Sequence, residues 1–250
     1  MISIGIIGFG RTGSSVCDEV IKDPDLSLSW VLRKNKSEHL FASKKLGHKT
    51  DSGKFYSQTE IDADFFSTNK VDLVIDFSNE ESANFYYESI IKSGTKIVSA
   101  ISHYSSGQLL FLKNLSRLNP ILYSPNITLG VNWLIVASKI LQKIVPNADI
   151  EIVEEHFRQK KGVSGTAMKI ANHLDLDVNE HINSIRVGGV VGKHEVIFGL
   201  PSQTIRLIHE SIDRAAFGRG AILGAKWLMS KNTGFYSMED VLEDKFRTYI

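Results

Sequence analysis

The sequence has a single cysteine, almost no net charge and no long uninterrupted apolar run. Cys17 alone cannot form a disulfide within the chain, which fits a reducing compartment, and we expect it on a buried helix face. A formal net charge of +1 at pH 7 argues against nucleic-acid binding, which usually requires a strongly basic face. The longest apolar stretch, residues 131–145, contains polar side chains and cannot span a bilayer.

Targeting and metal-binding motifs are missing as well. The N-terminal residues lack the basic flank and long apolar run of a targeting segment, so we expect a first strand there and a cytoplasmic protein without a membrane partner. The 8 histidines are scattered, with no H-E-x-x-H motif and no cysteine pair, which argues against a metal site. The 250 residues suffice for one large domain or two small ones.

Strand and helix patterns alternate along the first half of the chain. Apolar runs rich in β-branched residues predict strands at residues 2–7, 26–32, 71–77, 96–99 and 121–123. Helical patterns lie between them, including one that Ser78 or Asn79 can cap and one over residues 109–118, whereas residues 34–64 are predicted to be loop and short helix. This order is typical of an α/β fold with a Rossmann-like, doubly wound parallel sheet.

The pattern changes after Pro125. A long helix is predicted over residues 129–145, and strands are predicted at residues 150–153, 182–190, 194–198 and 204–209. A short helix begins at Ser164, and two further helices, near residues 217–229 and 238–243, close the chain. The spacing of the strands predicts a second, α+β domain with a mixed or antiparallel sheet.

A glycine-rich turn follows the first predicted strand, with the sequence Gly8-Phe9-Gly10-Arg11-Thr12-Gly13. A G-x-G-x-x-G between a strand and a helix lets the backbone approach a pyrophosphate, and the helix N-terminus offers N–H groups to its charge. A tight structural turn is the alternative, but the strand–turn–helix context favours dinucleotide binding.

The end of the second predicted strand bears on the choice of dinucleotide. NAD-preferring sites usually hold an acidic residue about 20 positions after the glycines, where it binds the ribose hydroxyls. This chain instead has Leu32-Arg33-Lys34, whose positive charges suit a 2′-phosphate. A solvated basic loop is the alternative. We expect NADPH in preference to NADH, with Arg33 beside the cofactor.

The segment from Glu151 to Ala167 concentrates groups that bind anions and move protons. His156 and Lys160 are suited to proton transfer, and Ser164-Gly165-Thr166 opens a helix with two hydroxyls and unpaired N–H groups. The neighbouring Lys and Arg residues favour a small carboxylate as the substrate. The alternative that these residues leave open is an ordinary helix cap preceded by a basic surface loop.

Several motifs share their order of residues with one enzyme family. Glu154, His156, Lys160 and Ser164-Gly165-Thr166-Ala167 follow the pattern E-x-H-H-x-x-K-x-D-x-P-S-G-T-A, and residues 124–132 follow A-P-N-F-S-x-G-V-N. The matches continue at Gly192, His194, Phe198, Ile205, His209, Arg214, Phe217, Gly220-Ala221 and Trp227-Leu228. In these motifs the chain resembles the 4-hydroxy-tetrahydrodipicolinate reductase (dihydrodipicolinate reductase) family of bacterial lysine and diaminopimelate synthesis.

The resemblance implies an NAD(P)H-dependent oxidoreductase that converts the cyclic imine 4-hydroxy-tetrahydrodipicolinate, a small dicarboxylate, to tetrahydrodipicolinate. His156 would be a proton donor or acceptor and Lys160 the proton donor. The substrate contacts that the resemblance implies are Phe157, Ser164, Gly165 and Thr166. The cofactor contacts that it implies are Gly8 to Gly13, Arg33, Ala100, Ile101, Ser102, Ser124, Pro125, Asn126 and Ile127.

The resemblance also implies the domain division and the assembly. The closing helices would return to the cofactor domain, which predicts a dinucleotide-binding domain of residues 1–125 and 215–250. Residues 126–214 would form the substrate-binding and oligomerisation domain, and its sheet would join a homotetramer.

The chain departs from the family pattern at three places. Phe157 stands where the family has a second histidine, and the loop before Ser164 is shorter, so Lys161 competes with Lys160 for the proton-donor role. The family's G-T-T-G-F loop is Ala100-Ile101-Ser102-His103-Tyr104 here. Two alternatives therefore stay open: another Rossmann oxidoreductase acting on a small carboxylate or imine, and a weakly catalytic NADPH-binding relative.

Overall fold

The structure, a computed structural model, describes residues 1–249. Its strands are β1 (Ile2–Ile7), β2 (Leu26–Arg33), β3 (Lys54–Ser57), β4 (Leu73–Asp76), β5 (Lys96–Ser99), β6 (Ile121–Tyr123), β7 (Asp149–His156), β8 (Ile182–Arg186), β9 (Lys193–Leu200), β10 (Gln203–Glu210) and β11 (Phe235–Tyr236). Its helices are α1 (Arg11–Lys22), α2 (Ala42–Lys45), α3 (Phe65–Thr68), α4 (Glu81–Lys92), α5 (Ser106–Leu115), α6 (Leu129–Ile144), α7 (Gly165–His173), α8 (Ala215–Leu228) and α9 (Met238–Tyr249).

The larger sheet is parallel, with the strand order β3-β2-β1-β4-β5-β6-β11. Successive side chains of a strand point to opposite faces, so Ile6 and Ile7 of β1 belong to two different apolar clusters. Ile6 shares its cluster with residues of α1 and α8, and Ile7 shares the other with residues of α4 and α5. Helices on both faces confirm the predicted doubly wound, Rossmann-like architecture.

The smaller sheet has the order β10-β9-β7-β8. Strand β7 runs parallel to β8, whereas β9 is antiparallel to both β7 and β10, so the predicted mixed sheet is confirmed. An apolar cluster that includes Leu134 of α6, Ile170 of α7 and Phe198 of β9 covers one face of this sheet. The opposite face contributes exposed apolar side chains, among them Ile185 and Ile208.

Two short strands were not expected from the sequence. Strand β3 lies within the segment predicted to be loop and short helix, and β11 follows the helix α8. Both pair at the two edges of the larger sheet, β3 beside β2 and β11 beside β6. Their four and two residues carry too little periodicity to be recognised locally, so only the pairing with a neighbouring strand identifies them.

Several boundaries also differ from prediction. Helix α4 begins only at Glu81, because the N–H and hydroxyl of Ser78 both donate to Asp76 while Asn79 Oδ1 accepts the Glu81 N–H at 3.1 Å. Helix α5 begins earlier than predicted because Ser105 caps it. Strand β8 ends at Arg186, ahead of a turn in which Gly188 has φ +49°. As expected, Cys17 is fully buried in α1.

Contacts divide the chain into two compact units, Met1–Thr128 with Arg214–Val241, and Leu129–Asp213 with the residues from Leu242 onward. The predicted domain boundaries stay a prediction, and the contacts assign the end of α9 to the second unit rather than to the first. Phe246 of α9 lines a groove there with Ile140 of α6. Residue 250 of the predicted 215–250 segment lies outside the described residues. No helix within residues 1–249 is long and apolar enough to cross a membrane.

Candidate functional site

The turn between β1 and α1 has the geometry of a phosphate-binding loop. Gly8 has φ +97°, and a Cβ there would lie 2.8 Å from the Phe77 carbonyl carbon, so a side chain is excluded. A Cβ at Gly13 would overlap the Gly8 carbonyl oxygen, which explains the third glycine. Nothing lies within 4 Å of the Cβ position of Gly10, and Gly10 has no side chain to cap α1. The turn therefore leaves the helix N-terminus accessible to an anion.

Two clefts in the first unit collect most of the predicted cofactor residues. A cleft of about 370 Å³ is lined by Gly8, Phe9, Gly10 and Arg33, together with Lys34, Asn35, Ser78 and Asn79. A second cleft of about 230 Å³ is lined by Thr12, Ala100, Ile101, Ser102, Pro125 and Ile127. Arg11, Gly13, Ser124 and Asn126 line neither cleft. The Arg33 guanidinium lies 5.5 Å from the centre of the Phe55 ring, a cation–π contact at the edge of the larger cleft.

The loop that departs from the family pattern is held from beneath by its last residue. The Tyr104 hydroxyl lies 2.9 Å from Ser99 Oγ and 3.1 Å from the Tyr87 hydroxyl, which in turn donates to Asp76 Oδ2 at 2.9 Å. Ile101 is buried in the apolar core below, and His103 is exposed. The apolar substitution at position 101 is thus absorbed by packing, and the loop is anchored through a phenol.

A buried carboxylate forms the centre of the second unit's polar cluster. Glu154 of β7 is fully buried and accepts hydrogen bonds from His156 Nδ1 at 2.5 Å and from the Ser184 hydroxyl at 2.6 Å. Arg186 donates to both carboxylate oxygens, at 2.9 and 2.5 Å, and the Ser164 N–H donates at 3.2 Å. Every donor satisfies a carboxylate that would otherwise be costly to bury.

These contacts decide the charge of Glu154. Burial by itself raises the pKa of the carboxyl, but the hydrogen bonds, led by those from Arg186, Ser184 and His156, lower that pKa to about 2. Glu154 is therefore an anion across the neutral and mildly acidic range. An anionic carboxylate only accepts hydrogen bonds, so the proton of neutral His156 resides on Nδ1.

The tautomer of His156 leaves Nε2 as the chemically available atom. Burial lowers the pKa of His156, and the nearby positive charges of Lys160 and Arg186 add to this effect, whereas Glu154 opposes it. A Cβ at residue 192 would lie 3.0 Å from Nε2, so Gly192 keeps that nitrogen uncrowded. His156 is thus a neutral imidazole with an Nε2 lone pair, which suits an acceptor of protons.

Arg186 also ties the basic loop to this cluster. Its Nε donates to the Lys160 carbonyl oxygen at 3.2 Å, and its Nη2 donates to the Gly162 carbonyl oxygen at 2.6 Å. Lys160 is partly buried, whereas its neighbour Lys161 is exposed. Phe157 is 41% exposed at the end of β7. Arg186 therefore connects the backbone of the Lys160 loop to the same carboxylate that orients His156.

Ser164 precedes α7 but does not serve as an ordinary cap. Its side chain makes no capping hydrogen bond to the helix within the described chain, and its Oγ lies 2.9 Å from His194 Nε2. The alternative interpretation of this residue as a simple N-cap is therefore wrong for its hydroxyl. Gly165 is exposed and Thr166 half-buried on the first turn of the helix.

Two histidines that follow the family pattern each contain an unpaired ring nitrogen. The Nδ1 atoms of His194 and His209 are buried with no hydrogen-bond partner among residues 1–249. Burial lowers the pKa of His194 to about 3, and the charges of His156 and His209 act in the same direction. His194 is consequently neutral at physiological pH.

Sequence reasoning named Glu154, His156, Ser164 and His194 but missed Ser184 and Arg186. The pairing of Glu154 with His156 had a signal, since residues two apart on a strand share a face. Ser184 and Arg186 had none, because they reach Glu154 through the register of β7 with β8. Within residues 1–249, no group of three or more His, Cys, Asp or Glu side chains has the arrangement of a metal site.

Comparison with known proteins places the chain among one group of reductases. The family model described as "Dihydrodipicolinate reductase, N-terminus" matches residues 2–127, and "Dihydrodipicolinate reductase, C-terminus" matches residues 130–242. The 4-hydroxy-tetrahydrodipicolinate reductase of Rickettsia bellii is 39% identical over 68% of this chain and 74% of its own length. The reductase of the same name from Sulfurimonas denitrificans is 32% identical over 97% of this chain and 100% of its own length.

Solved structures give the same fold. Dipicolinate-bound dihydrodipicolinate reductase from Paenisporosarcina sp. TG-14 superposes with a TM-score of 0.81 at 21% identity, covering 96% of this chain and 99% of that one. A probable dehydrogenase from Thermotoga maritima superposes with a TM-score of 0.65 at 12% identity, covering 99% and 95%. At these identities the likeness shows the fold alone.

Proposed function

Because the chain belongs to the dihydrodipicolinate reductase family, we propose that it uses NAD(P)H to reduce 4-hydroxy-tetrahydrodipicolinate to tetrahydrodipicolinate. The observation that carries this proposal is the Glu154–His156 pair, a neutral imidazole of defined tautomer beside the Lys160 loop and the first turn of α7. Proton-transfer groups next to an anion-binding helix end suit reduction of a charged imine.

The proposed cofactor site consists of the two clefts of the first unit. The open Gly10 and the uncapped N-terminus of α1 fit a pyrophosphate, and Arg33 and Lys34 fit a 2′-phosphate, which favours NADPH over NADH. Ala100 to Ser102 and residues 124–127 would contact the remainder of the dinucleotide. When bound, the nicotinamide supplies the hydride.

The chain's own residues supply the proton and hold the substrate. Loss of the substrate 4-hydroxyl as water leaves a conjugated imine, the hydride adds to it, and Lys160 Nζ donates the proton that neutralises the resulting electron density. The Nε2 lone pair of His156 accepts or passes on a proton, and Glu154 holds the ring through Nδ1. Lys160 is preferred to Lys161 because it is the partly buried one.

The first turn of α7 would hold a substrate carboxylate. The Ser164 hydroxyl and the N–H groups of Gly165 and Thr166 are the proposed donors, favoured by the helix dipole. Phe157 would present an apolar surface where relatives use a histidine. The Paenisporosarcina relative binds dipicolinate, a planar dicarboxylate, and a ligand of that class fits this arrangement.

We place the enzyme in the cytoplasm as a homotetramer joined through the smaller sheet. The uncovered face of that sheet supports an assembly, because its Ile185 and Ile208 are 44% and 54% exposed, and Val187 and Val191 of the adjoining β8–β9 loop are 42% and 60% exposed. Sedimentation velocity of the purified protein tests it, and a monomer at micromolar concentration would refute it.

A coupled assay tests the proposed function. Dihydrodipicolinate synthase, pyruvate and aspartate semialdehyde generate the substrate, and NADPH oxidation is followed at 340 nm, a standard wavelength for that cofactor. Lys160→Ala should lower kcat by about 10²–10⁴-fold, the usual contribution of a positioned proton donor, and Lys161→Ala by less than about threefold. Tight NADPH binding without turnover would instead favour the weakly catalytic relative.

A further inference from the structure

A row of polar side chains crosses the smaller sheet beneath the proposed substrate site. Ser184, Glu154, His194 and His209 stand directly opposite one another on β8, β7, β9 and β10. The hydrogen-bond donors around Glu154 account for its burial in this row. The burial of His194 has no such account, because its ring supplies no proton-transfer atom to the mechanism above. With a relative exposure of 3%, His194 hydrogen-bonds Ser164 Oγ, and its ring packs edge-on against that of His156 at 5.3 Å between centres.

The tautomer of His194 follows from its two ring nitrogens. Nδ1 is buried with no partner within residues 1–249, whereas Nε2 lies 2.9 Å from Ser164 Oγ. A neutral imidazole carries one proton, and a buried N–H without an acceptor is costlier than a buried lone pair without a donor. The proton of His194 is therefore on Nε2, where Ser164 Oγ accepts it.

The donation from His194 Nε2 to Ser164 Oγ determines whether the Ser164 hydroxyl can act as a donor. Because Oγ accepts from His194 and makes no other hydrogen bond among the described residues, the hydroxyl proton has no acceptor there. The Ser164 N–H is meanwhile held by Glu154, which fixes the backbone at the start of the helix. The hydroxyl is thus kept as a donor at the helix N-terminus, beside Gly165.

We propose that His194 is a positioning residue that donates to Ser164 Oγ and so reserves the Ser164 hydroxyl proton for a substrate carboxylate. This inference rests on the proposed function, in which Ser164 contacts the substrate. With the opposite tautomer, Ser164 would donate to His194 and present only lone pairs to an anion. His194 therefore contributes to KM for the dicarboxylate and little to kcat.

Binding and steady-state kinetics of four variants test this. His194→Leu and Ser164→Ala should each raise KM for the substrate, and Kd for dipicolinate by calorimetry, about tenfold, the usual effect of losing one hydrogen bond to a charged group. The double variant should match Ser164→Ala alone in KM and in the dipicolinate Kd, because the hydrogen bond to Ser164 Oγ is the polar contact through which His194 affects carboxylate binding. His194→Gln places an amide N–H near the position of Nε2 and should stay within about threefold of the parent protein.

His209→Leu is the matched control, since His209 is the next histidine of the row and does not contact Ser164; its KM should change by less than about twofold. The inference would be overturned if the increases in Kd of the two single variants multiplied in the double variant. An unchanged dipicolinate Kd in His194→Leu, with an unaltered melting temperature, would overturn it as well. A parent protein that binds dipicolinate without turnover would refute the proposed function alone. A parent protein that does neither would refute both.

Discussion

Each unit of the protein holds a fully buried carboxylate at or near the end of a strand, Asp76 in the first and Glu154 in the second, and different donors surround the two. Asp76 ends β4 and is bonded by hydroxyls of Ser78, Ser82 and Tyr87 and by the Ser78 N–H. Burial outweighs these neutral donors and raises the pKa of Asp76. Glu154 near the end of β7 has a guanidinium among its donors, and its pKa falls to about 2.

The difference shows that burial alone does not set the role of a carboxylate; the charge of its donors does. Asp76 organises the hydroxyls beneath the Ala100–Tyr104 loop, a task that does not need a permanent negative charge. Glu154 must be an anion, because it fixes a proton on His156 Nδ1 and neutralises Arg186. Substitutions that remove the charge but keep the shape should therefore affect the two units unequally.

Glu154→Gln is expected to have the largest effect. It places a neutral amide in a fully buried site and breaks the ion pair with the partly exposed Arg186, which costs about 3 kcal/mol of unfolding free energy. It also no longer fixes the tautomer of His156, which should lower kcat/KM by about 100-fold. Urea unfolding and steady-state kinetics measure the two effects. Glu155→Gln is the control, because that carboxylate pairs with Lys193 at 2.7 Å on a partly exposed face and should cost less than about 1 kcal/mol. Equal losses of unfolding free energy and of kcat/KM in the two variants would contradict the special role of the Glu154 charge.

Acidification should change the contributions of the two carboxylates to the unfolding free energy in opposite directions. Glu154 has a folded pKa of about 2 against an ordinary value of 4.5, so its contribution is complete above pH 4.5 and declines as the pH falls toward 2. Between pH 5 and pH 3 this amounts to about 2 kcal/mol. The folded pKa of Asp76 is raised above 3.8, so acidification through that raised value stabilises the fold.

Two variants test these opposite effects through the change in unfolding free energy with pH. From pH 5 to pH 3, Glu154→Gln should lose less unfolding free energy than the parent protein, and Asp76→Asn should lose more. Titrating groups distant from both carboxylates are common to all three proteins and cancel in the comparison. The Glu154 charge raises the pKa of His156 and of His194, so their pKa values fall in Glu154→Gln and oppose part of its expected change. Urea titrations at both pH values measure the slopes, and a shallower slope in Asp76→Asn would contradict the assignment.

Tyr104→Phe should have the smallest effect. It introduces the residue that the family pattern has at the end of this loop and removes hydrogen bonds to Ser99 and Tyr87, which costs about 1 kcal/mol of unfolding free energy. Because the buried ring still fills its site, Kd for NADPH, measured by fluorescence, should rise by less than about threefold. Tyr87→Phe, which severs the bond to Asp76 itself, is the comparison and should cost more stability. A loss of NADPH binding in Tyr104→Phe would mean that the phenol positions the loop for the cofactor.

Local patterns in the sequence were enough to predict the architecture and to locate the candidate site. The glycine turn, the unbroken β-branched runs and the E-x-H…S-G-T segment are local patterns, and local periodicity reports which face of an element is buried. It therefore predicted the doubly wound sheet, the mixed sheet and the importance of His156, Lys160 and Ser164. It missed β3 and β11, whose pairing partners are distant in the chain.

The charge and the proton positions of that site follow instead from contacts between residues distant in the chain. Arg186 and Ser184 reach Glu154 across the β7–β8 register, and His194 reaches Ser164 across β9, from positions 30 or more residues away. A pKa and a tautomer depend on which donors stand within about 3 Å and on how much water is excluded, and no local pattern encodes either quantity. For the same reason Ser164, an N-cap by sequence, has a hydroxyl that the fold assigns to His194.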